Sequence, residues 1–320
     1  MTNQFLVSII IPVYGVKKWI ERCLLSALSQ DYDNIEIIIV DDKSIDGSSN
    51  IINKVLSNYK GLKKIILISH KYNKGLAKAR ETGIKAANGE FIFHLDGDDW
   101  LEYNSISTLI SFAEQQPDLD IISGNYRNIY NNKQIDNTLK ISDLNPRQIS
   151  LHMMEMRIFW NIWNRLIKKN LYNNLLIPSI NNGEDYITTS RLFYKARNVL
   201  FIDIITYNYN HLNENSFQKN LYVASNISDR INSVEFLIDE FKGNSQVLDS
   251  LNIGYLKAKA KELCSGRSRL IIKQININKS RVKLKYLLKI KITYTIQILL
   301  KLLNYDQIIL FINRFYKILK

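Results

Sequence analysis

Four short apolar runs, separated by segments of helical period, constrain this chain more tightly than any other feature. Residues 6–13, 35–40, 64–69 and 91–95 have the length and β-branched content of strands. Between them, residues 17–30 carry Trp19, Ile20, Cys23, Leu24, Ala27 and Leu28 on one stripe, and helices are predicted over 48–59 and 76–87. The run at 6–13 is continuous rather than alternating, as in a strand buried on both faces. Strands alternating with helices at this spacing predict a parallel, doubly wound sheet with right-handed crossovers. Ligands of such sheets gather at the carboxyl ends of the strands. Asp41, Asp42, Asp96 and Asp98 all fall there.

Further along, a helix over 104–116, a short strand over 119–123 and a hairpin near 125–135 are predicted. Helical segments follow at 146–156 and 184–196, with an extended run over 199–209 and wholly helical chain from about Phe217. The expected architecture is therefore an α/β domain over 1–216, a mainly parallel sheet flanked by helices, followed by an all-helical region over 217–320. Only four prolines and twelve glycines argue against a Pro/Gly-rich interdomain linker. Cys23 and Cys264 lie far apart without metal-ligand spacing, which fits a reduced, cytoplasmic protein. Residues 1–4 carry no basic segment and Pro12 interrupts the following apolar run, so no signal peptide is expected. No eighteen consecutive residues are apolar.

The net charge of +13 is unevenly placed. Residues 257–320 hold 16 basic groups against Glu262 and Asp306, a net +14, leaving 27 basic and 28 acidic groups in the rest. A near-neutral body with a basic tail points to a polyanionic partner, an anionic membrane surface or nucleic acid. No nucleic-acid recognition motif accompanies the charge, so the membrane is the better reading. Apolar stripes at Leu284, Leu287 and Leu288 and at Ile298, Leu299, Leu302 and Leu303 are expected to pack on one another as a small helical subdomain. Lys283, Lys285, Lys289 and Lys291 are then free to face lipid or simply solvent. The tail is also a plausible homodimer surface.

The segment Phe91–Trp100 ends a strand at three carboxylates within four residues, Asp96, Asp98 and Asp99. Such crowding is costly unless a cation shares the site, and carboxylate oxygens suit Mg2+ or Mn2+. A solvated acidic turn is the alternative. Taken together, five segments resemble the inverting glycosyltransferases of family 2, with the GT-A fold. They are residues 7–14, residues 39–48, residues 73–80, residues 95–101, and Gly183-Glu184-Asp185-Tyr186 with Arg191-Leu192-Phe193. The resemblance spans roughly residues 5–216.

The resemblance implies Asp185 as general base with Glu184 assisting, Asp98 on a divalent metal, and Asp96 on the ribose of the nucleotide sugar or assisting the metal. It implies Asp42 on the uracil imide, Pro12 and Tyr14 lining the base pocket, and Asp41, Asn73, Arg80 and Gly97 on the nucleotide sugar. His211 is implied near the diphosphate and metal, and Trp163 on the acceptor side. Each residue also has an ordinary structural reading. Asp42 can cap a turn with Ser44, Arg80 can be a solvated helix cation, and Glu184-Asp185 suit a helix start. His211 can be structural, His94 reads as a core histidine, and Trp163 can be a buried indole. The implied reaction moves a sugar from a nucleotide sugar, with a UDP-sugar as the expected donor, to a glycan or lipid-linked saccharide acceptor. The enzyme would be peripheral at the inner face of the cytoplasmic membrane and build bacterial surface polysaccharide. A non-catalytic scaffold of the same fold is the alternative. A dinucleotide oxidoreductase is disfavoured, because no Gly-x-Gly-x-x-Gly follows the first strand.

Overall fold

The computed structural model describes residues 5–139, 141, 143–180, 183–214, 224–265, 277–303, 306 and 309. The first four strands, β1 (Val7–Val13), β2 (Ile35–Asp41), β3 (Lys64–Ser69) and β4 (Phe91–His94), form the parallel half of one sheet in the order β3-β2-β1-β4. Helices α1 (Ile20–Leu28), α2 (Ser48–Asn58) and α3 (Leu76–Ala86) connect them, within one or two residues of the predicted bounds for α2 and α3. Both faces of β1 are covered, which accounts for its unbroken apolar run. Val7, Ile9 and Ile11 share a core with α1, α2 and α4 (Ser105–Gln115). On the opposite face Ile10 meets α3 at Gly83, where an added Cβ would come within 2.4 Å of Ile10 Cγ2.

Near the start of β2 a charged residue, Glu36, is fully buried. Glu36 accepts Ser8 Oγ at 2.7 Å and the Asn88 N–H at 2.5 Å, and Lys64 lies 3.4 Å away. Burial opposes its ionisation, but these donors outweigh burial and hold the carboxyl below its usual range. The carboxylate thereby ties the turn after α3 to the bottom of β1 and β2.

Past β4 the sheet becomes mixed. A two-residue strand β5 (Trp100–Leu101) pairs antiparallel with β9 (Val199–Asn210). The predicted hairpin is β6 (Ile121–Ile129) with β7 (Gln134–Asn137). A strand that periodicity did not mark, β8 (Arg165–Lys168), lies between β4 and β6, antiparallel to both. At four residues it is too short for its period to register in a sequence window. Helices α5 (Pro146–Met154) and α6 (Glu184–Lys195) match their predicted segments.

The chain divides into two compact units, residues 1–148 with 161–216, and residues 149–160 with 217–320. The segment 149–160 thus belongs with the C-terminal part, although the sequence reading placed it in the first domain. Glu155 explains this locally, accepting Ser250 Oγ at 3.1 Å through its carboxylate and Lys257 Nζ at 2.6 Å through its carbonyl. The second unit contains α7 (Ala224–Glu240), α8 (Ser245–Ser265), α9 (Leu284–Leu287) and α10 (Ile292–Leu302). The expected helical stretches 217–223, 266–276 and 304–320 lie outside the described residues, apart from 306 and 309, as do Asn215 and Ser216. The expectation that the tail's apolar stripes pack on one another requires correction. Leu287 and Ile298 are buried, whereas Leu288, Leu299 and Leu303 are exposed. Among the described residues no helix is long and apolar enough to cross a membrane.

Gly83 gives a test in which two effects oppose. Helix propensity favours alanine by about 1 kcal/mol, while forcing a methyl into the packed contact with Ile10 costs about 1–3 kcal/mol. Gly83→Ala should therefore lower the midpoint of thermal unfolding by a few degrees. A raised midpoint would show that the α3–β1 contact yields freely.

Candidate active site

The strand order reverses between β1 and β4, so a crevice opens where these strands end. Pro12 is buried in β1 and Tyr14, just beyond it, is 51% exposed. Across the crevice the three carboxylates after β4 part company. Asp99, whose N–H bonds the Asp96 carbonyl at 3.0 Å, turns inward and is fully buried. Tyr207 Oη donates to Asp99 Oδ2 at 2.7 Å, and the Asn210 N–H donates to Oδ1 at 2.7 Å. Burial, then the charges of Asp98 and Asp96, push the Asp99 carboxyl well up. Asp98 remains partly exposed, with Oδ2 accepting Asn213 Nδ2 at 2.7 Å and its carbonyl accepting Asn210 Nδ2 at 3.0 Å. Burial raises it to about 6, with Asp96 adding to the effect and Asn213 opposing it. Gly97 is needed for close approach, since a Cβ there would lie 3.0 Å from the Pro12 carbonyl oxygen.

Arg80, on α3, is buried and donates through Nη2 to Asp96 Oδ1 at 2.6 Å and through Nη1 to Glu184 Oε1. This corrects the alternative reading of Arg80 as a solvated cation. Each of its terminal nitrogens thus donates to one carboxylate. Glu184 and Asp185 open α6, and Gly183, with φ of 137°, makes the turn that precedes them. The helix start sends the two acids different ways. Glu184 is buried against Arg80, while Asp185 is partly exposed, with Oδ1 accepting the Tyr186 N–H at 2.8 Å. Burial raises the Glu184 carboxyl, the pairing with Arg80 opposes this, and Asp185 and Asp96 push it up again.

At the end of β2 the two aspartates also differ. Asp41 takes the capping role that the sequence offered to Asp42, accepting the Ser44 N–H at 2.9 Å and Ser49 Oγ at 2.6 Å. Asp42 is 2% exposed and accepts His70 Nδ1 and the Lys74 N–H on Oδ1, at 2.7 and 2.8 Å, and the Gly75 N–H on Oδ2 at 2.7 Å. It fastens the loop before α3, on which Asn73 is exposed and accepts the Gly75 N–H at 3.1 Å.

Trp163 corrects an expectation. At 7% exposure, with its indole stacked on Tyr207 and Tyr209, it is a core residue without free surface for a sugar ring. His211 stacks on Tyr130 at 4.3 Å and bonds Asn128 Oδ1 through Nε2 at 2.7 Å. His94 is fully buried against Tyr172, and burial with the nearby Arg80 holds it neutral. Motif reading missed Tyr207, Asn210 and Asn213, which position the acidic turn, and His70, which holds Asp42. It also passed over Arg165 as a side chain, fully buried with Nε and Nη2 unpartnered. The Tyr/Asn alternation over 207–210 was the available signal for the first two.

Among the described residues no three His, Cys, Asp or Glu side chains form a group that could hold a metal. The donor set nonetheless suits Mg2+ or Mn2+, which commonly bind through one or two carboxylates plus substrate phosphates. The burial that raises Asp98 marks a place where added positive charge is favourable.

Arg80 yields a prediction with a definite sign. Arg80→Ala leaves Glu184 buried and unpaired, a loss of about 3–5 kcal/mol near neutral pH. Its carboxyl rises further, so stability is retained below the unfolded value near 4.3 and is lost as pH climbs through the raised folded value. The deficit in thermal midpoint against wild type should be smaller at acidic than at alkaline pH. A pH-independent deficit would mean that Arg80 acts by packing alone.

The description of glycosyl transferase family 2 fits this chain over residues 8–183. The chain is 33% identical over 207 residues to the uncharacterized glycosyltransferase EpsJ of Bacillus subtilis (strain 168), covering 62% of this chain and 59% of that protein, under two thirds of its length. It is 35% identical over 201 residues to the UDP-Glc:alpha-D-GlcNAc-diphosphoundecaprenol beta-1,3-glucosyltransferase WfaP of Escherichia coli, covering 62% of this chain and 75% of WfaP. Among solved structures, S. aureus TarS 1-349 in complex with UDP-GlcNAc superposes with a TM-score of 0.66 at 16% identity, over 94% of this chain and 92% of that one. The mannosyltransferase PcManGT from Pyrobaculum calidifontis, in complex with GDP-Man and Mn2+, gives 0.57 at 14% identity, over 94% and 88%. At such identities these two show likeness of fold. The family match runs from β1 to the glycine that opens α6, more than half of the sequence, and the chain belongs to glycosyl transferase family 2.

Proposed function

We propose that this chain is an inverting glycosyltransferase that moves a sugar from a nucleoside diphosphate sugar, most simply a UDP-sugar, to an acceptor hydroxyl. The carrying observation is the Asp96–Arg80–Glu184 bridge. It brings the acidic turn after β4 and the acidic start of α6 to one crevice, across 104 residues between Arg80 and Glu184. WfaP, by its name, uses UDP-Glc and a diphosphoundecaprenol-linked sugar, and TarS binds UDP-GlcNAc. These support a UDP-sugar donor, a glycan or lipid-linked acceptor, and a place in bacterial surface-polysaccharide synthesis at the inner face of the cytoplasmic membrane.

Asp185 is the base in this reading. Its partly exposed carboxylate lies in the first turn of α6, where the helix dipole favours the ionised form. It takes the acceptor hydroxyl proton as that oxygen bonds the anomeric carbon. The bond to the diphosphate breaks on the opposite face, so the configuration inverts. Glu184, occupied by Arg80, is a positioning residue and does not touch the acceptor. Pro12 and Tyr14 line one wall of the base pocket. Asp42 and Asn73 define the other, and Asp42 Oδ2 retains an acceptor position for the imide. Asp98 and Asp96, with His211, would hold Mg2+ or Mn2+. Such an ion supplies charge neutralisation to the departing diphosphate.

Calorimetry of UDP with and without Mn2+ tests the donor site. Wild type should bind UDP more tightly with Mn2+, and Asp98→Ala should lose that gain, an effect of about tenfold or more. Asp185→Asn should keep UDP binding while turnover falls by about 10²–10⁴. Full turnover in Asp185→Asn would remove the base assignment. Failure to bind UDP, GDP, CDP or dTDP would favour the non-catalytic scaffold.

A further inference from the structure

The C-terminal unit exposes an apolar stripe that the sugar-transfer reading does not use. Helix α10 packs toward α8 on the side of Ile298, which is fully buried. Ile292, Ile296, Leu299 and Leu303 recur at spacings of four, three and four, so they share one face. They are 75%, 45%, 42% and 64% exposed. Leu288, in the turn before the helix, is 77% exposed. Five large aliphatic side chains left in water, three within one helix and two just before and after it, are not a scatter of single surface residues.

Charge identifies what covers this face. Lys289 and Lys291, next in sequence to Leu288 and Ile292, are exposed, and so is Lys283 a few residues earlier. Lys285 is paired with Asp249 at 2.7 Å and is not counted. From residue 279 to 320 the sequence holds ten basic residues and a single acid, Asp306, itself 3.0 Å from Lys301. A second copy of this chain would bring the same lysines to the same face, basic against basic. A bilayer with anionic headgroups answers both features, taking the aliphatic stripe into its acyl boundary and the lysines at its phosphates.

We propose that α10, with the turn that precedes it, is an in-plane anchor. Leu288, Ile292, Ile296, Leu299 and Leu303 insert into an anionic bilayer, and Lys283, Lys289 and Lys291 contact its headgroups. The inference does not depend on the donor or acceptor of the proposed reaction.

Co-sedimentation of the full chain with vesicles tests it, using phosphatidylcholine alone and phosphatidylcholine mixed with phosphatidylglycerol. Wild type should partition onto the mixed vesicles and much less onto phosphatidylcholine. Leu288→Ser with Ile292→Ser, at the two most exposed apolar positions, should weaken partitioning by about tenfold or more. Lys289→Gln with Lys291→Gln should weaken it roughly fivefold per lysine at low salt, with less effect at high salt. Circular dichroism and UDP binding should match wild type in both variants, which separates loss of anchoring from loss of fold or of the donor site. As an independent reading, the fluorescence of an introduced indole in Ile292→Trp should shift to the blue on addition of mixed vesicles alone. Wild type that ignores anionic vesicles, or a serine variant that binds them undiminished, overturns the proposal. So does an Ile292→Trp spectrum unmoved by lipid. A wild-type dimer that the serine variant converts to monomer, without vesicle binding by either, assigns the stripe to self-association instead.

Discussion

Arg80 is the interaction on which the site depends. A guanidinium buried between Asp96 and Glu184 fixes three elements at once, the second turn of α3, the end of β4 and the start of α6. The fork of the guanidinium lets each terminal nitrogen serve one carboxylate, which a lysine could not reproduce. The arrangement is also electrostatically lean. One cation faces Asp96, Glu184 and Asp185, and burial compounds the imbalance at Glu184. A crevice short of positive charge at the ends of parallel strands is a place where a cation-bearing, phosphate-rich ligand improves the balance.

The same economy organises the acidic turn. Three consecutive-looking carboxylates could not share one surface without large repulsion, and the fold resolves this by sending Asp99 inward to Tyr207 and the Asn210 amide. Tyr207 Oη accepts from the Asp96 N–H at 3.1 Å while donating to Asp99, so one hydroxyl sets both ends of the turn. Strand β9 thereby serves two purposes. Its tyrosines build a stack with Trp163, and its asparagine at 210 holds the turn that carries the remaining carboxylates.

Much of the fold was legible in the residues. Continuous apolar runs gave β1, β2 and β4, which are buried on both faces, the run over 64–69 gave the partly exposed edge strand β3, and the stripe on α1 gave its buried side. The site was legible as a set of residues but not as roles. Trp163 looked equally like a sugar platform and a core indole, and only its neighbours on β9 decided the matter. Asp41 and Asp42 are adjacent and chemically identical, yet one caps its own turn and the other fastens the loop before α3. The tail misled in a different way. Its spacing predicted helix correctly over 292–302, but periodicity cannot say which stripe finds a neighbour and which stays in water.

What the sequence alone determined is what repeats over a few residues: strand and helix identity, the alternation that makes an α/β sheet, and the location of acids at strand ends. These follow from local sterics and from burial period, which each segment carries within itself. What only the tertiary structure decided is which acid is paired, which is buried and which remains open to a ligand. Those outcomes rest on partners about a hundred residues away, Arg80 for Glu184 and Tyr207 for Asp99, at 104 and 108 positions' separation. The ionisation of a carboxylate depends on the charges and donors that surround it in space.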